Sequence, residues 1–104
     1  MKLKIFKFKK VISTNNTAIS LIKNKRKKSG CVFSKLQTKG RGTQGKRWLS
    51  YEGNLFVSIF FELKKNYPPF NEFYIISPII IKNTLQKFCK KQSISLKHPN
   101  DLLL

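Results

Sequence analysis

A glycine-rich segment, QTKGRGTQGKRW at residues 37–48, is the strongest constraint on how this chain can fold. Gly40, Gly42 and Gly45 spell the G-x-G-x-x-G pattern of dinucleotide-binding folds, and the stretch from Gly40 to Lys46 spells most of a P-loop. Both motifs need a strand before the glycines and a helix after them, because the helix N-terminus holds the phosphate. Here a strand pattern precedes the glycines, but a loop and then another strand pattern follow them.

Two further departures exclude both motifs in their usual forms. The acidic residue that a dinucleotide fold carries about 20 positions further on is missing, since Glu62 falls within or at the end of a strand pattern. A P-loop needs Ser or Thr after its lysine, and Arg47 occupies that position. The glycines still allow backbone N–H groups to approach an anion closely. With cations at Arg41, Lys46 and Arg47 and a flat wall at Trp48, the segment predicts a ligand with an anionic group and a ring. A mobile surface loop is the alternative.

The hydrophobic pattern predicts the element order β-α-β-loop-β-α-β, which indicates an α+β or α/β domain. Ala18, Leu21 and Ile22 are expected to share the buried face of the first helix. Pro78 is expected to kink the second helix or to lie near its start. The first predicted elements are a strand at 3–12, a helix capped by Ser13 or Thr14 that ends before Gly30, and a strand at 31–37. A loop at 38–53, a strand at 54–63, a helix within 73–91 and a last strand at 93–104 that includes a Pro-Asn-Asp turn follow. The apolar face of the second helix is predicted to hold Ile75, Ile76, Ile79, Ile80, Leu85 and Phe88.

Composition restricts the partners and the compartment. The 104 residues include 22 Lys and Arg against 4 Asp and Glu, a net charge of +18 that attracts polyanions such as nucleic acid, anionic lipid or phosphorylated small molecules. Lysine is spread along the whole chain, so a compositional habit is the favoured explanation. Cys31 and Cys89 form no C-x-x-C motif and predict small buried thiols in a reducing compartment. No signal-peptide or membrane-spanning pattern is present, so a cytoplasmic protein is expected.

Four segments, in their order along the chain, resemble the catalytic domain of biotin–protein ligases. They are S-T-N at 13–15, Q-x-x-G-R-G-x-x-G-[RK]-x-W at 37–48, G-N-L-x-x-S-I-F-F at 53–61, and K-H-P-N-D at 97–101, which is similar to that family's K-W-P-N-D. Lipoate ligases share the fold but differ in the glycine loop, so biotin is favoured. The resemblance implies an α+β, class II synthetase-like fold with a mixed sheet and helices on one face, truncated here. Residues 1–104 would be the N-terminal portion of that domain, with neither a preceding winged helix nor a C-terminal β-barrel.

The resemblance also implies a two-step reaction. ATP, with Mg²⁺, and biotin would give biotinyl-5′-AMP, and the biotinyl group would pass to a lysine of a biotin carboxyl carrier protein, an acetyl-CoA carboxylase subunit. No specific DNA binding is expected. Arg41 and Lys46 would be catalytic, and Asp101 would bind Mg²⁺. The biotin site would comprise Ser13, Thr14, Asn15, Gln37, Gly40, Arg41, Gly42 and Thr43, and the ATP site Gly45, Lys46, Arg47, Trp48, Lys97, Asn100 and Asp101.

Some positions depart from the family pattern. Thr43 and Gln44 occupy loop positions where many members carry arginine, and His98 replaces a tryptophan, which indicates a packing position. We expect Gly42→Val to abolish biotin binding, because a side chain there would block the approach of the backbone to the ligand. Two alternatives stay open: a basic nucleic-acid-binding module, and a non-functional ligase remnant.

Overall fold

The computed structural model describes residues 2–97 and 100–104. They divide into two compact units, the first ending at Leu63 and the second beginning at Lys64. The first unit contains strands β1 (Ile5–Phe8), β2 (Gly30–Ser34), β3 (Gly40–Arg41), β4 (Arg47–Trp48) and β5 (Phe56–Phe60), helix α1 (Thr14–Lys25) and a 3-10 turn (Thr43–Gly45). The second contains a 3-10 turn (Phe70–Glu72), helix α2 (Phe73–Gln86) and strands β6 (Ser95–Lys97) and β7 (Asp101–Leu103).

The first unit is built on a mixed three-stranded sheet with the order β1-β2-β5. Strands β1 and β2 are parallel, with α1 as the crossover between them, and β5 is antiparallel to β2. Alternate residues of β2 and β5 are buried, as expected when a helix covers one face of a sheet. Ala18 of α1 packs there with Val32 and Phe60, and partly buried Phe6, Phe8 and Leu21 surround them. The predicted α+β fold with a mixed sheet is confirmed.

Helix α1 begins and ends as its sequence predicts. Ser13 is the N-cap, and its hydroxyl accepts a hydrogen bond from the Asn16 N–H at 3.0 Å. Arg26 has a left-handed conformation (φ 52°), and the Lys27 N–H donates to the Leu21 carbonyl at 3.1 Å to close the last turn. The predicted burial of Ile22 is wrong: its side chain is 45 % exposed. It lies 100° around the helix from Leu21, at the margin of the packed face.

Pairing between the first two strands continues irregularly beyond their ends. The Val11 N–H donates to the Leu36 carbonyl, and the Thr38 N–H donates to the Val11 carbonyl, both at 3.0 Å. The Lys39 N–H then donates to the Ile12 carbonyl at 2.8 Å. These bonds hold the residues just before α1 against the residues just before the first glycine of the loop.

The glycine-rich segment, predicted as a loop, contains a short hairpin. Strands β3 and β4 pair antiparallel, with Gly40 opposite Trp48 and Arg41 opposite Arg47. Gln44 and Gly45 have positive φ values of 58° and 70° in the turn between them. A strand, not a helix, follows the glycines. The arrangement therefore differs from both a dinucleotide fold and a P-loop.

The second unit contains a helix that is apolar on almost all sides. Helix α2 ends at Gln86, before the end of the apolar pattern at Lys91, and Pro78 lies in its interior. Lys82 is its only charged residue. The predicted apolar residues of this region are largely exposed, with exposed fractions of 42 % for Ile75, 44 % for Ile79, 58 % for Ile80, 42 % for Leu85 and 82 % for Phe88. Hydropathy therefore predicted the helix correctly but did not predict burial.

The predicted last strand is divided into a hairpin, β6–β7, in which Lys97 lies opposite Asp101. The amide of Gln86 ties the connection before it, donating to the Gln92 carbonyl at 2.7 Å and accepting from the Ile94 N–H at 2.9 Å. His98, whose packing role was predicted from sequence, lies outside the described residues.

Both cysteines are free thiols and half-buried, so the expectation of buried thiols is wrong in degree. Among the described residues, no helix has the length and apolar character needed to span a membrane.

Candidate functional site

Four polar side chains from three segments form a connected hydrogen-bond network beside the N-terminus of α1. The Thr14 N–H and hydroxyl both donate to Oε1 of Gln37, at 2.8 and 3.2 Å. The Ser58 hydroxyl lies 2.7 Å from Oγ1 of Thr14 and also donates toward Oδ1 of Asn15. We call Thr14, Asn15, Gln37 and Ser58 the polar floor. It is held by a helix start, an extended segment and a central position of β5.

The polar floor lines a small pocket of about 180 Å³. Thr14 is 4 % exposed and Ser58 is 9 % exposed, so these hydroxyls are fixed by the fold and lie at the buried end of the pocket lining. An apolar wall and one cation complete the pocket. The remaining lining residues are Ser13, Arg41, Trp48, Leu55, Phe56 and Val57.

Gln37 links the polar floor to the hairpin. Its Nε2 donates to the Ser50 hydroxyl at 3.2 Å, and that hydroxyl in turn approaches the Trp48 carbonyl at 3.4 Å. Gly40 lies directly under this contact. A Cβ at Gly40 would be 2.7 Å from the Ser50 hydroxyl and 2.8 Å from Nε2 of Gln37, both side-chain atoms, and 3.1 Å from the Trp48 carbonyl. A side chain at Gly40 would therefore displace the Gln37–Ser50 hydrogen bond and press against the Trp48 backbone.

Gly42, by contrast, has room for a side-chain carbon. A Cβ there would meet Trp48 at 3.5 Å and the Lys46 carbonyl at 3.6 Å, which are ordinary contact distances. Its φ of −94° is open to any residue. The argument from sequence for Gly42 concerns the approach of a ligand to its backbone and stays a prediction; within the chain itself, the closer fit is at Gly40.

A second, larger cavity of about 500 Å³ lies on the other part of the hairpin. Arg41 lines both this cavity and the small pocket, so the two cavities adjoin at this residue. Two more cations, Lys39 and Arg47, line the larger cavity. We call it the cationic cavity. Its other lining residues are Ile12, Asn16, Thr38, Gly40 and Gly45.

The predicted site residues fall into four groups. Ser13, Thr14, Asn15, Gln37 and Arg41 lie together around the small pocket, and Trp48, predicted for ATP, lies with them. Gly40, Gly45 and Arg47 line the cationic cavity, again with Arg41. The hairpin residues Gly42, Thr43 and Lys46 line neither cavity. Lys97, Asn100 and Asp101 belong to the second unit, where Asn100 and Asp101 are exposed.

Sequence reasoning assigned no role to several residues of these cavities. Ser58 carried a usable signal, because a lone hydroxyl at an inward position of an apolar strand needs a partner once it is buried. Lys39 carried no such signal, because it is one lysine among many. The residues missed in this way are Ile12, Asn16, Thr38, Lys39, Leu55 and the first three residues of β5, 56–58.

The sequence matches the model of the biotin/lipoate A/B protein ligase family over residues 8–104. The chain belongs to this family. Within the described residues, no group of three or more His, Cys, Asp or Glu side chains is placed to hold a metal ion.

Solved structures of biotin protein ligases share the fold. The enzyme from Helicobacter pylori, a biotin acetyl coenzyme A carboxylase synthetase with bound biotinylated ATP, is 26 % identical with a TM-score of 0.80, covering 99 % of this chain and 50 % of its own. The Aquifex aeolicus enzyme, in complex with biotin and ATP, is 28 % identical with a TM-score of 0.78, covering 97 % and 41 %. The Leishmania major enzyme, in complex with biotinyl-5-AMP, is 22 % identical with a TM-score of 0.83, covering 99 % and 48 %. This family member thus spans about half the length of these proteins or less.

Proposed function

We propose that this chain carries the biotin-binding and adenylate-forming part of an ATP-dependent biotin–protein ligase. The proposed reaction forms biotinyl-5′-AMP and transfers biotin to a lysine of a biotin carboxyl carrier protein of acetyl-CoA carboxylase, in the cytoplasm. Membership of the ligase family supports the reaction class. The polar floor beside Arg41 is the observation that carries the proposal for this chain.

The polar floor matches the chemistry of a cyclic urea. The ureido ring of biotin presents one carbonyl acceptor and two N–H donors. The amides of Asn15 and Gln37 each offer both a donor and an acceptor, and the hydroxyls of Thr14 and Ser58 can turn to serve either need. The dithiolane ring of lipoate has neither an N–H donor nor a carbonyl acceptor with which to exchange hydrogen bonds with these groups. The floor therefore supports biotin over lipoate as the substrate.

The remaining walls suit the other end of biotin. Trp48, Leu55 just before β5, and Val57 of β5 provide apolar surface for the thiophane ring and the valeryl chain. Arg41, between the two cavities, is placed to hold the carboxylate by a charge-assisted hydrogen bond. In the proposed first step, a carboxylate oxygen attacks the α-phosphorus of ATP and pyrophosphate leaves. Arg41 and Lys46 would offset the charge that develops on the phosphoryl oxygens.

In the proposed second step, the carrier lysine amine attacks the acyl carbon and AMP leaves. Lys97, Asn100 and Asp101 are proposed for ATP. Asp101 offers one carboxylate, which is a number that Mg²⁺ commonly takes from protein when nucleotide phosphates supply other oxygens. When bound, Mg²⁺ would neutralise part of the phosphate charge.

Titration of the purified 104-residue chain with biotin in a calorimeter tests the proposal, with circular dichroism recorded on the same sample. Trp48 is the only tryptophan and lines the pocket, so its fluorescence gives a second, local readout. We expect saturable biotin binding and no saturation by lipoate at the same concentrations. A folded chain that binds neither, or that binds both equally, would contradict the proposal.

Thr14→Val tests the polar floor directly, because it removes the hydroxyl shared by Ser58 and Gln37 while keeping the side-chain volume. The expected loss of biotin affinity is about tenfold, since the buried partners lose a hydrogen bond. Thr17→Val is the matched control: Thr17 is also in α1, and its hydroxyl bonds only the Ser13 carbonyl, at 3.2 Å. Equal losses in both variants would show that helix damage, not the floor, explains the effect.

A further inference from the structure

The carboxamide of Gln37 is hydrogen-bonded within the chain at both of its ends. Its Oε1 accepts from the Thr14 N–H at 2.8 Å and from the Thr14 hydroxyl at 3.2 Å, and its Nε2 donates to the Ser50 hydroxyl at 3.2 Å. A carboxamide oxygen has two acceptor positions, and its nitrogen carries two hydrogens. The chain itself therefore uses both acceptor positions and one hydrogen, which leaves one Nε2–H for a ligand.

Two groups of fixed character determine this orientation of the amide. At one end, the Thr14 backbone N–H can only donate, so it requires the oxygen of Gln37 and not the nitrogen. At the other end, the Ser50 hydroxyl can donate or accept, but the Trp48 carbonyl, at 3.4 Å, can only accept. The hydroxyl proton of Ser50 is thereby directed to Trp48, and the Ser50 oxygen is left as the acceptor for Nε2.

Gly40 leaves the space in which this hydrogen bond forms. A Cβ at Gly40 would come within 2.8 Å of Nε2 of Gln37 and 2.7 Å of the Ser50 hydroxyl. The two polar atoms can approach each other because the residue beside them carries no side chain. The contact between Gln37 and Ser50 is therefore part of the packing of this region.

Ser50 lies outside the pocket whose floor it supports. It is half-buried in the segment that follows β4, and it lines neither the small pocket nor the cationic cavity. An effect of Ser50 on a bound ligand must pass through Gln37 or Trp48, the two residues that it bonds and that do line the small pocket. Only the route through Gln37 changes which hydrogen-bonding group the polar floor presents.

We propose that Ser50 is a positioning residue for biotin binding, which holds the Gln37 carboxamide in the orientation that presents a hydrogen-bond donor to the pocket. This inference rests on the proposed function for the identity of the ligand. It narrows the part of Gln37 from donor or acceptor to donor alone, so its partner on biotin is an acceptor oxygen. That oxygen is the ureido carbonyl, because Gln37 lies among the neutral groups of the polar floor, while Arg41 is proposed for the carboxylate.

Ser50→Ala tests the proposal by removing the acceptor of Nε2 without adding volume. We expect biotin affinity, measured by calorimetry, to fall about three- to tenfold, since the cost is that of one neutral hydrogen bond. Ser50→Thr keeps the hydroxyl and should bind biotin within about twofold of the unaltered chain. Unchanged affinity in Ser50→Ala, or an equal loss in Ser50→Thr, would contradict the proposal.

Ser20→Ala is the matched control, because it removes a hydroxyl of the same kind elsewhere. The Ser20 hydroxyl also accepts from a carboxamide, Nδ2 of Asn24 at 3.1 Å, but Ser20 lines neither cavity. The expected change in biotin affinity is less than about twofold. A loss equal to that of Ser50→Ala would show that any such hydrogen bond has the same effect, and the special role of Ser50 would be refuted.

A double-mutant cycle separates the route through Gln37 from the route through Trp48. In a Gln37→Ala background the amide is absent, so adding Ser50→Ala should change biotin affinity by less than about twofold. A second loss as large as that in the unaltered chain would overturn positioning through Gln37. Biotin amide, which keeps the ureido ring but lacks the carboxylate, should lose as much affinity as biotin does in Ser50→Ala. An undiminished affinity for biotin amide would overturn the assignment to the ureido carbonyl.

Nuclear magnetic resonance of the free, isotope-labelled chain tests the same orientation without biotin. The Nε2 protons of Gln37 should be resolved from those of the exposed Gln44 side chain, because one of them is bonded to Ser50. Ser50→Ala should move the Gln37 signals toward those of Gln44, and Ser50→Thr should not. Unchanged Gln37 signals in Ser50→Ala would overturn the proposal whether or not the chain binds biotin. The expected shift in a chain that binds no biotin would remove the proposed function and leave the orientation of Gln37 by Ser50 standing.

Discussion

The polar floor and the glycine hairpin lie next to each other but are held in opposite ways. The floor joins three chain segments by neutral hydrogen bonds, and its Thr14 and Ser58 side chains are almost fully buried. The hairpin consists of two strands of two residues each, with Trp48 60 % exposed. Its cross-strand register even opposes two arginines.

This difference indicates a division of work within the candidate site. A neutral ring is best recognised by groups that are fixed before it binds. With flexible donors, the entropy lost on ordering them would offset the free energy gained from their hydrogen bonds. A strongly charged group can instead order the residues that bind it, since charge-assisted bonds offset that cost. We therefore expect the floor to be preformed and the hairpin to become ordered when an anion binds.

The largest effect is expected at Gly40, which lies where the two regions touch. Gly40→Val would force a Cβ against Ser50 and the Trp48 carbonyl, and overpacking of this kind costs about 1–3 kcal/mol. We expect biotin affinity to fall by up to about a hundredfold. Gly42→Ala, in the same hairpin but with room for a Cβ, is the control and should stay within about threefold. Calorimetry measures the biotin affinity of both variants. A larger loss of affinity in Gly42→Ala than in Gly40→Val would show that the glycine needed for binding is Gly42.

Arg41 belongs to both regions, so Arg41→Gln should weaken the binding of biotin and of pyrophosphate, the leaving group of the proposed first step. The expected loss is about tenfold for biotin and about tenfold for pyrophosphate, because the guanidinium contributes one charge-assisted contact to each. Lys35→Gln, at an exposed lysine that lines neither cavity, should change binding of both by less than about threefold. A loss for one ligand alone would assign Arg41 to one cavity only.

Salt should separate the two regions without any mutation. Pyrophosphate binding should weaken about tenfold between low and high ionic strength, because several exposed charges are screened. Binding of biotin amide, which keeps the ureido ring but lacks the carboxylate, should change less than about twofold. Parallel salt slopes for the two ligands would contradict the division between a neutral floor and a charged hairpin.

The smallest effect is expected from the helix cap behind the floor. Ser13→Ala removes the hydroxyl that accepts the Asn16 N–H, which costs about 1 kcal/mol of folding stability and lowers the melting temperature by about 4–8 °C. Ser13→Asp restores an acceptor and should recover most of that loss. Ser20→Ala, in the exposed middle of α1, should lower the melting temperature by less than about 2 °C. Thermal unfolding followed by circular dichroism measures all three variants. Equal decreases in melting temperature for Ser13→Ala and Ser20→Ala would show that the Ser13 hydroxyl does not stabilise the helix as its N-cap.

The sequence contained enough local information to predict the first unit well. Ser13 and the apolar face of α1 are determined within a few residues of each other, so patterns and caps predict them. The apolar run of β5 predicted a strand buried on both faces, and this burial is wrong, because Val57 is 37 % and Ile59 is 58 % exposed. The grouping of Ser13, Thr14, Asn15, Gln37 and Arg41 followed from the family resemblance and is seen in the structure.

Other features depend on contacts that no local pattern encodes. The need for glycine at Gly40 arises from Ser50 and Trp48, which reach it only after the hairpin has folded. Lys39 resembles every other lysine until the pairing with Ile12 brings it to the cavity. In α2, apolar composition predicted a helix, but composition alone cannot say which isoleucines are covered.

The Thr14 N–H, which donates to the Gln37 side chain instead of to the backbone, has a consequence for hydrogen exchange. First-turn amides of helices lack an intrahelical acceptor and ordinarily exchange with solvent quickly. Here the amides of Thr14 and Asn16 both have side-chain acceptors, Gln37 and Ser13. Their deuterium uptake should therefore be slow in the free protein, and Gln37→Leu, which removes the acceptor of the Thr14 N–H, should accelerate it at Thr14 and leave Asn16 slow. The start of one helix thus reports, amide by amide, whether the pocket is assembled before any ligand has entered it.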